Sequence, residues 1–344
     1  MTHRARRLTA IVTTVVALVM LTATPAGAHG TSGPPAENFR SVLRGIQPTT
    51  AGITVGLGPD REQVELRVSG PERVTVLGYR GEPYLRVDAR GVFENRASPA
   101  VTLNRTRIAS ATTTESPHRD PRWHKISERP VARWHDHRSH WMGGAIPGFV
   151  RRAPDESHVI TTWQIPIRVD GRRALINGAI EWTPPPSAWP WWGLAGMLAV
   201  GLFVATRARV ARLMLGAAVT VMASTEALHV WSSWTFSSGS TTGRIGEALP
   251  SIGAILVSVM ALIWLFRRGV WSATPALILA GLFVFVSGGL ADLPTLSHAY
   301  VPSRLPPDAA RALVALALGL GLGTAVAGAT RLRTPNVNIP SRPD

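Results

Sequence analysis

The pattern of hydrophobic and polar positions divides the chain at Pro184-Pro185-Pro186. Before this triplet, short apolar runs are separated by Gly, Pro, Asp and Asn, a spacing typical of an all-β sandwich of the immunoglobulin type. After it, apolar runs of about twenty residues recur, the length a helix needs to cross a bilayer core. The pattern therefore predicts an all-β domain over residues 29–186, an all-α five-helix transmembrane bundle over residues 187–333, and a tail over residues 334–344.

The short runs of the first half predict strands and one hairpin. The strands are expected at Thr50–Leu57, Gln63–Val68, Val74–Tyr79, Pro83–Val87, Val92–Asn95 and Ala100–Leu103. The hairpin joins His158–Val169 to Arg172–Trp182 through Asp170-Gly171, a favoured two-residue turn. Residues 108–150 show little strand periodicity, and so long a segment inside a compact domain is usually functional or disordered.

The long runs of the second half predict both helices and topology. Helices are expected at Trp189–Thr206, Ala211–Trp231, Leu249–Phe266, Thr274–Leu293 and Ala309–Thr330. Arginines follow the first, third and fifth runs, so the positive-inside rule places the β-domain outside and the C-terminal tail in the cytoplasm. Gly319 and Gly323 have the GxxxG spacing that allows close helix packing.

Residues 1–28 have the features of a secretory signal peptide. A basic start precedes an apolar run over residues 8–21, and Ala26-Gly27-Ala28 is a small-residue cleavage site. Cleavage there makes His29 the mature N-terminus, where the free α-amino group and the imidazole can chelate a metal ion together. The leader agrees with an extracytoplasmic β-domain on a protein of the plasma membrane.

The densest cluster of metal-ligating side-chain types lies within residues 135–142. The candidate ligands are His135, Asp136, His137, His140 and Met142. Imidazole suits copper and zinc, carboxylate adds a hard oxygen, and thioether favours Cu(I), so copper is expected ahead of zinc. A strand places His135 and His137 on one face, whereas a helical turn stacks His137 on His140. The alternative is an amphipathic loop whose histidines bond to the backbone and whose tryptophans pack.

A second group of ionisable residues lies in or beside the predicted helices. Its members are Glu226, His229, Asp292 and His298. Ionisable residues in membrane helices are costly, and all four fall toward the outer side of the bilayer when counted along their helices. They predict a second metal site or a proton-accepting pair. The alternative is that Glu226 and His229 satisfy each other while Asp292 caps a loop.

The composition narrows the chemistry further. The chain has no cysteine, which excludes disulfides, thiolate metal sites and thiol nucleophiles. It carries 36 Lys and Arg against 21 Asp and Glu, a formal net charge of +15, and Lys125 is its only lysine. We expect no nucleic-acid partner for an exported chain; the expected partners are the lipid bilayer and other envelope or copper-handling proteins.

Three stretches resemble a family of actinobacterial membrane proteins: residues 76–86, residues 134–142, and the Gly288–Pro294 end of the fourth predicted helix. In plan, the chain is also similar to copper-resistance proteins of the CopC and CopD types. CopC-type proteins are small β-sandwiches whose mature chain begins with a copper-binding histidine, as His29 would; CopD-type proteins are multi-helix membrane partners. The domain here is longer, its histidines are placed differently, and the bundle has fewer helices.

The leading functional hypothesis is a membrane-anchored metal-binding protein. It captures an ion, copper first, with His29 and the clustered histidines, and passes it to the ionisable group of the helices. The second is a non-catalytic envelope interaction or assembly module that uses Trp134, Trp141 and the arginines. The third is a metalloenzyme, but no nucleophile elbow, paired-carboxylate pattern or nucleotide loop supports it, and we expect no enzyme.

Overall fold

The computed structural model describes residues 37–58, 61, 63–105, 120–237 and 241–333. It divides into two compact units, one over Glu37–Pro185 and one that starts at Pro186. His29, the whole predicted leader and the whole predicted tail lie outside the described residues.

The first unit is a β-sandwich-like arrangement of two antiparallel sheets. The strands are β1 Phe39–Gln47, β2 Ile53–Leu57, β3 Gln63–Val68, β4 Val74–Leu77, β5 Pro83–Asp88, β6 Gly91–Asn95, β7 Trp123–Ser127, β8 Val131–His135, β9 His158–Val169 and β10 Arg172–Trp182. The large sheet has the order β1-β10-β9-β4-β5-β6-β7, and the small sheet has the order β2-β3-β8. Inward-facing side chains of both sheets, such as Leu66 and Ile167, share one apolar core.

The predicted hairpin is confirmed in its register and its turn. Arg172 pairs with Val169, and Asp170 and Gly171 have φ values of 48° and 84°. Two consecutive positive φ angles define the type I′ turn, whose twist matches that of the flanking strands.

The prediction of a strand over Ala100–Leu103 is wrong, because this segment belongs to a short helix, α1 Pro99–Leu103. The Ser98 hydroxyl accepts a hydrogen bond from the Ala100 N–H at 3.2 Å, and Pro99 occupies the first turn, where its missing N–H costs nothing. Strands β7 and β8 lie in the segment where little strand periodicity was expected. A second short helix, α2 Gly148–Arg152, follows.

The second unit is helical. Its elements are α3 Trp189–Ala205, α4 Ala211–Phe236, α5 Thr241–Val284, a π-helical turn Phe285–Leu290, α6 Pro294–Ser297 and α7 Pro307–Arg333. Three helices are long and apolar enough to cross a membrane: Ala211–Phe236, Thr241–Leu290 and Pro307–Leu332. The apolar helix α3 is shorter. Within α5, Gly269 leaves helical geometry at φ 78° and ψ 173°.

Close packing at the predicted glycines of α7 is confirmed. A Cβ at Gly319 would lie 2.5 Å from the carbonyl oxygen of Ala195, and one at Gly323 would lie 3.0 Å from that of Ala199. A second glycine pair, Gly281 and Gly321, makes a similar approach between α5 and α7. Small residues therefore let three helices pack backbone to backbone.

Candidate functional site

The histidine turn, residues 135–140, follows directly on strand β8. His135 ends that strand and pairs with Gln63 of β3. The Ser139 N–H then donates to the carbonyl oxygen of Asp136 at 2.9 Å, and the Ser139 hydroxyl donates to the same oxygen at 2.8 Å. The end of the strand and this turn bring all three predicted histidines onto one short loop.

Asp136 holds the turn together, and its predicted role as a metal ligand stays a prediction. Its side chain is fully buried. Oδ2 accepts hydrogen bonds from Trp134 Nε1 at 3.0 Å and Arg138 Nη2 at 2.8 Å, and Oδ1 accepts from Arg138 Nε at 2.8 Å. Both carboxylate oxygens therefore accept hydrogen bonds within a forked ion pair and from an indole, so the residue orients the loop.

Tyr79 supports the turn from the side. Its hydroxyl accepts a hydrogen bond from the His137 N–H at 3.0 Å and donates to Asn104, while the Arg138 guanidinium lies 4.7 Å from its ring centroid. Burial and then the charge of Asp136 raise the pKa of Tyr79, so the phenol keeps its proton. Burial lowers the pKa of Arg138, but its hydrogen bonds and ion pair with Asp136 outweigh burial and raise it.

The three imidazoles lie within contact of one another. Their ring centroids are 5.3 Å apart for His135 and His137, 4.3 Å for His135 and His140, and 5.7 Å for His137 and His140. His140 is buried, and its Nδ1 lies 3.1 Å from the carbonyl oxygen of Asp136. In the residues that the structure describes, no group of three or more His, Asp or Glu side chains is arranged to hold a metal ion as it stands.

The aromatic residues that flank the turn face inward. Trp134 is 4% exposed, and Trp141 stacks on Phe39 at a centroid distance of 4.8 Å. Trp141 is only partly buried, so the interaction module that would bind through these two residues stays a prediction. Met142 is 42% exposed, so its predicted role as a thioether ligand stays a prediction.

The helical unit contains the second predicted group. Glu226 is fully buried on α4, and its Oε1 accepts a hydrogen bond from the Ser287 hydroxyl at 3.0 Å. Ser287 and Gly288 belong to the π-helical turn, and a Cβ at Gly288 would collide with Glu226 Oε1. Turns of this kind widen a helix locally and are frequent at functional sites. Glycine at residue 288 is what makes room for the carboxyl group.

His229 and Asp292 complete this group. His229 Nδ1 lies 3.2 Å from Asp292 Oδ2, and both residues line, with Glu226, a cavity of about 30 Å³. The lining combines these polar side chains with apolar ones, and a cavity of that size has room for about one water molecule. Glu226 therefore bonds to Ser287 and His229 to Asp292. This differs from the alternative in which Glu226 and His229 satisfy each other.

The fourth predicted member, His298, has a different environment. Its Nδ1 lies 2.8 Å from the carbonyl oxygen of Pro294, and its own carbonyl oxygen accepts a hydrogen bond from Arg311 at 2.9 Å. It is absent from the lining of the cavity that holds Glu226. The structure therefore brings together three of the four residues.

Two features of these sites escaped the sequence analysis. The pairing of Asp136 with Arg138 was missed, although the i, i+2 spacing of a carboxylate and a guanidinium beside a tryptophan was visible. The π-helical turn was missed as well, and its only signal was the Gly288-Gly289 pair near the end of an apolar run.

No protein family, curated protein or solved structure matches the chain.

Proposed function

We propose that this chain is a membrane protein whose N-terminal domain binds a transition-metal ion, copper ahead of zinc, through His135, His137 and His140. The observation that carries the proposal is the spacing of the three rings. With metal–nitrogen bonds of about 2.0–2.1 Å, imidazole centroids around one ion lie about 5 Å apart. The centroid distances of 4.3 to 5.7 Å bracket this value, so rotation of the rings on a fixed backbone completes the site.

The hydrogen bonds around the turn support the same proposal. Metal-ligating histidines usually donate their second ring N–H to a carbonyl or carboxylate, which fixes the tautomer. The contact from His140 Nδ1 to the Asp136 carbonyl oxygen has this form. Because the chain has no cysteine, the ligands are imidazoles, with His29 and Met142 as further candidates.

The membrane part of the proposal is five crossings with the β-domain outside. Gly269 breaks α5, and Arg267 and Arg268 stand immediately before the break, as expected of a cytoplasmic loop between two spans. The apolar helix α3 supplies a further span of 17 residues. In this arrangement Glu226, His229 and Asp292 form a second binding site, which receives the ion that the N-terminal domain releases.

Metal titration of the full-length protein in detergent tests the proposal. Wild type and the triple variant His135→Ala/His137→Ala/His140→Ala are titrated with Cu(I), Cu(II) and Zn(II) against competing chelators. His158→Ala is the matched control, because this histidine of the same domain bonds through Nε2 to the carbonyl oxygen of Ala153 at 2.7 Å.

We expect the triple variant to lose one equivalent of copper and the control to keep it. Equal copper stoichiometry and affinity in all three proteins would overturn the site. A second comparison, between a mature chain that begins at His29 and one extended by a residue, separates the terminal chelate from the turn. A weaker affinity on extension assigns His29 to the site.

A further inference from the structure

The outer face of the large sheet carries a row of six paired residues, four of which are cationic. Directly paired residues on neighbouring strands define the row from β10 across β9, β4, β5 and β6 to β7. Its members are Arg173, Arg168, Thr75, Arg86, Phe93 and Lys125.

This row lies on the face opposite the core. Val76 pairs with Ile167 of β9 and Leu85 of β5, and all three side chains are buried in the apolar core. Because successive residues of a strand point to opposite faces, the residues next to them, Arg168 and Arg86, point outward. Six strands at about 4.8 Å spacing make the row about 24 Å long, with cations every 5 to 10 Å or so.

The centre of the row is held rigidly. The Arg86 guanidinium lies 4.2 Å from the ring centroid of Phe93 and 4.9 Å from that of Trp123. The Asp88 carboxylate forms ion pairs with three arginines. Its Oδ2 lies 3.8 Å from Arg73 Nε, 3.6 Å from Arg86 Nε and 3.2 Å from Arg90 Nη2. One carboxylate among three guanidinium groups leaves this part of the face positive.

At the β10 end of the row, two arginine side chains repel each other. Arg173 and Arg168 are exposed and directly opposite each other on β10 and β9. Within the described part of the chain, no carboxylate lies within 4.0 Å of either guanidinium group. Like charges directly opposite on neighbouring strands destabilise a sheet, so an anion from outside the domain is the natural partner.

We propose that this row binds a linear polyanion with phosphodiester groups, such as a polyol-phosphate chain of the cell envelope. Four of the charged positions fall on one line, which matches a chain and not a compact anion. Arginine presents a fork of donors that fits phosphate oxygens, and three of the four cations are arginines. Because the row is one residue wide, a polymer that lies along it contacts all of its cations, whereas a flat lipid surface makes fewer contacts.

The test uses the full-length protein in nanodiscs of neutral phosphatidylcholine and a synthetic poly(glycerol phosphate) longer than the row. Because the Lys125 ammonium group is paired with Glu128, three phosphates are counted, one each for Arg173, Arg168 and Arg86. They predict that log Kd rises with log salt concentration at a slope of about 2. The double variant Arg168→Gln/Arg173→Gln should bind at least about tenfold more weakly and reduce that slope by about 1.4. The matched control, Arg151→Gln/Arg152→Gln, removes the same charge from exposed positions of α2 and should bind like wild type.

Thermal stability separates a binding role from a structural one. Removing the Arg168–Arg173 repulsion should leave the melting temperature of the domain unchanged or higher, whereas a structural role predicts a lower one. The proposal is overturned if wild type does not bind the polymer, or if both double variants lose affinity equally, which would show an effect of net charge alone. It is also overturned if polyglutamate binds as tightly, or if only phosphatidylglycerol vesicles bind.

Discussion

The ion pair of Asp136 and Arg138 should be the main support of the histidine turn, and Asp136→Asn tests this role. The substitution keeps the shape of the side chain and removes its charge. The Asp136 side chain is fully buried and that of Arg138 is 21% exposed, so the guanidinium left behind loses the carboxylate to which its Nε and Nη2 donate, in a mostly buried environment. Removing one partner of a buried pair costs about 3–5 kcal/mol, and partial solvation of Arg138 points to the lower value.

For a domain of about 150 residues, a loss of about 3 kcal/mol lowers the melting temperature by about 10 °C. The assay is thermal unfolding of the detergent-solubilised protein, followed by hydrogen exchange of peptides from β3 and β8. These strands pair through Trp134 and Val64, so they report opening at the turn and not in the helices. Copper affinity should fall in parallel, because the loop that carries the imidazoles loses its fixed shape.

The matched control is Glu65→Gln on the neighbouring strand. Glu65 pairs with Arg133 at 2.6 Å, but the Arg133 side chain is 58% exposed. Exposed pairs contribute about 0–1 kcal/mol, so this variant should melt within about 3 °C of wild type. If Asp136→Asn melts no lower than the control, the reasoning from burial is refuted.

Two further changes probe other parts of the molecule. Burial pushes the pKa of Asp88 up, but hydrogen bonds from the side chain and backbone of Arg90 outweigh it and hold the pKa below its ordinary value. This carboxylate therefore stabilises the domain fully at pH values above its ordinary pKa, and the stabilisation is lost as the pH falls through its lowered pKa. The melting-temperature gap between wild type and Asp88→Asn should be constant above about pH 5 and should narrow progressively as the pH is lowered below about 4. A gap that does not narrow as the pH falls would contradict this. In the helices, Gly288→Ala places a Cβ against Glu226 Oε1 and should lower the free energy of unfolding, measured with denaturant, by about 1–3 kcal/mol. The control Gly201→Ala meets open space and should leave the free energy of unfolding unchanged or raise it. Equal effects of the two substitutions would argue against the tight fit at Gly288.

The parts of the fold that depend on local chemistry could be predicted from the sequence. The β9–β10 hairpin follows from Asp170-Gly171, whose two residues adopt positive φ more readily than most. Strand β3 follows from strict alternation and has the predicted bounds, Gln63–Val68. The short helix over Pro99–Leu103 was predicted as a strand from its apolar residues alone, and the capping role of Ser98 before it was not recognised.

The rest depends on partners distant in the sequence. Strand β7 is an edge strand with mostly exposed side chains, so it lacks the alternation that marks a half-buried strand. The proximity of the three histidines could be predicted from their spacing. The bonds of Asp136 to Arg138 and Trp134 could not, because they depend on burial that packing produces. His229 and Asp292 lie on different helices, and only the packing of those helices brings them to 3.2 Å.

The first and last strands of the β-domain lie side by side in the large sheet. Phe39 pairs with Trp182, and the Thr183 N–H donates to the carbonyl oxygen of Asn38 at 2.8 Å, so the chain enters and leaves this domain at one point. Domains with adjacent ends tolerate transfer into other proteins and circular permutation. A short linker from residue 183 to residue 37, with new ends opened at the Asp170-Gly171 turn, should yield a permuted domain that keeps the histidine turn and the copper affinity proposed for it.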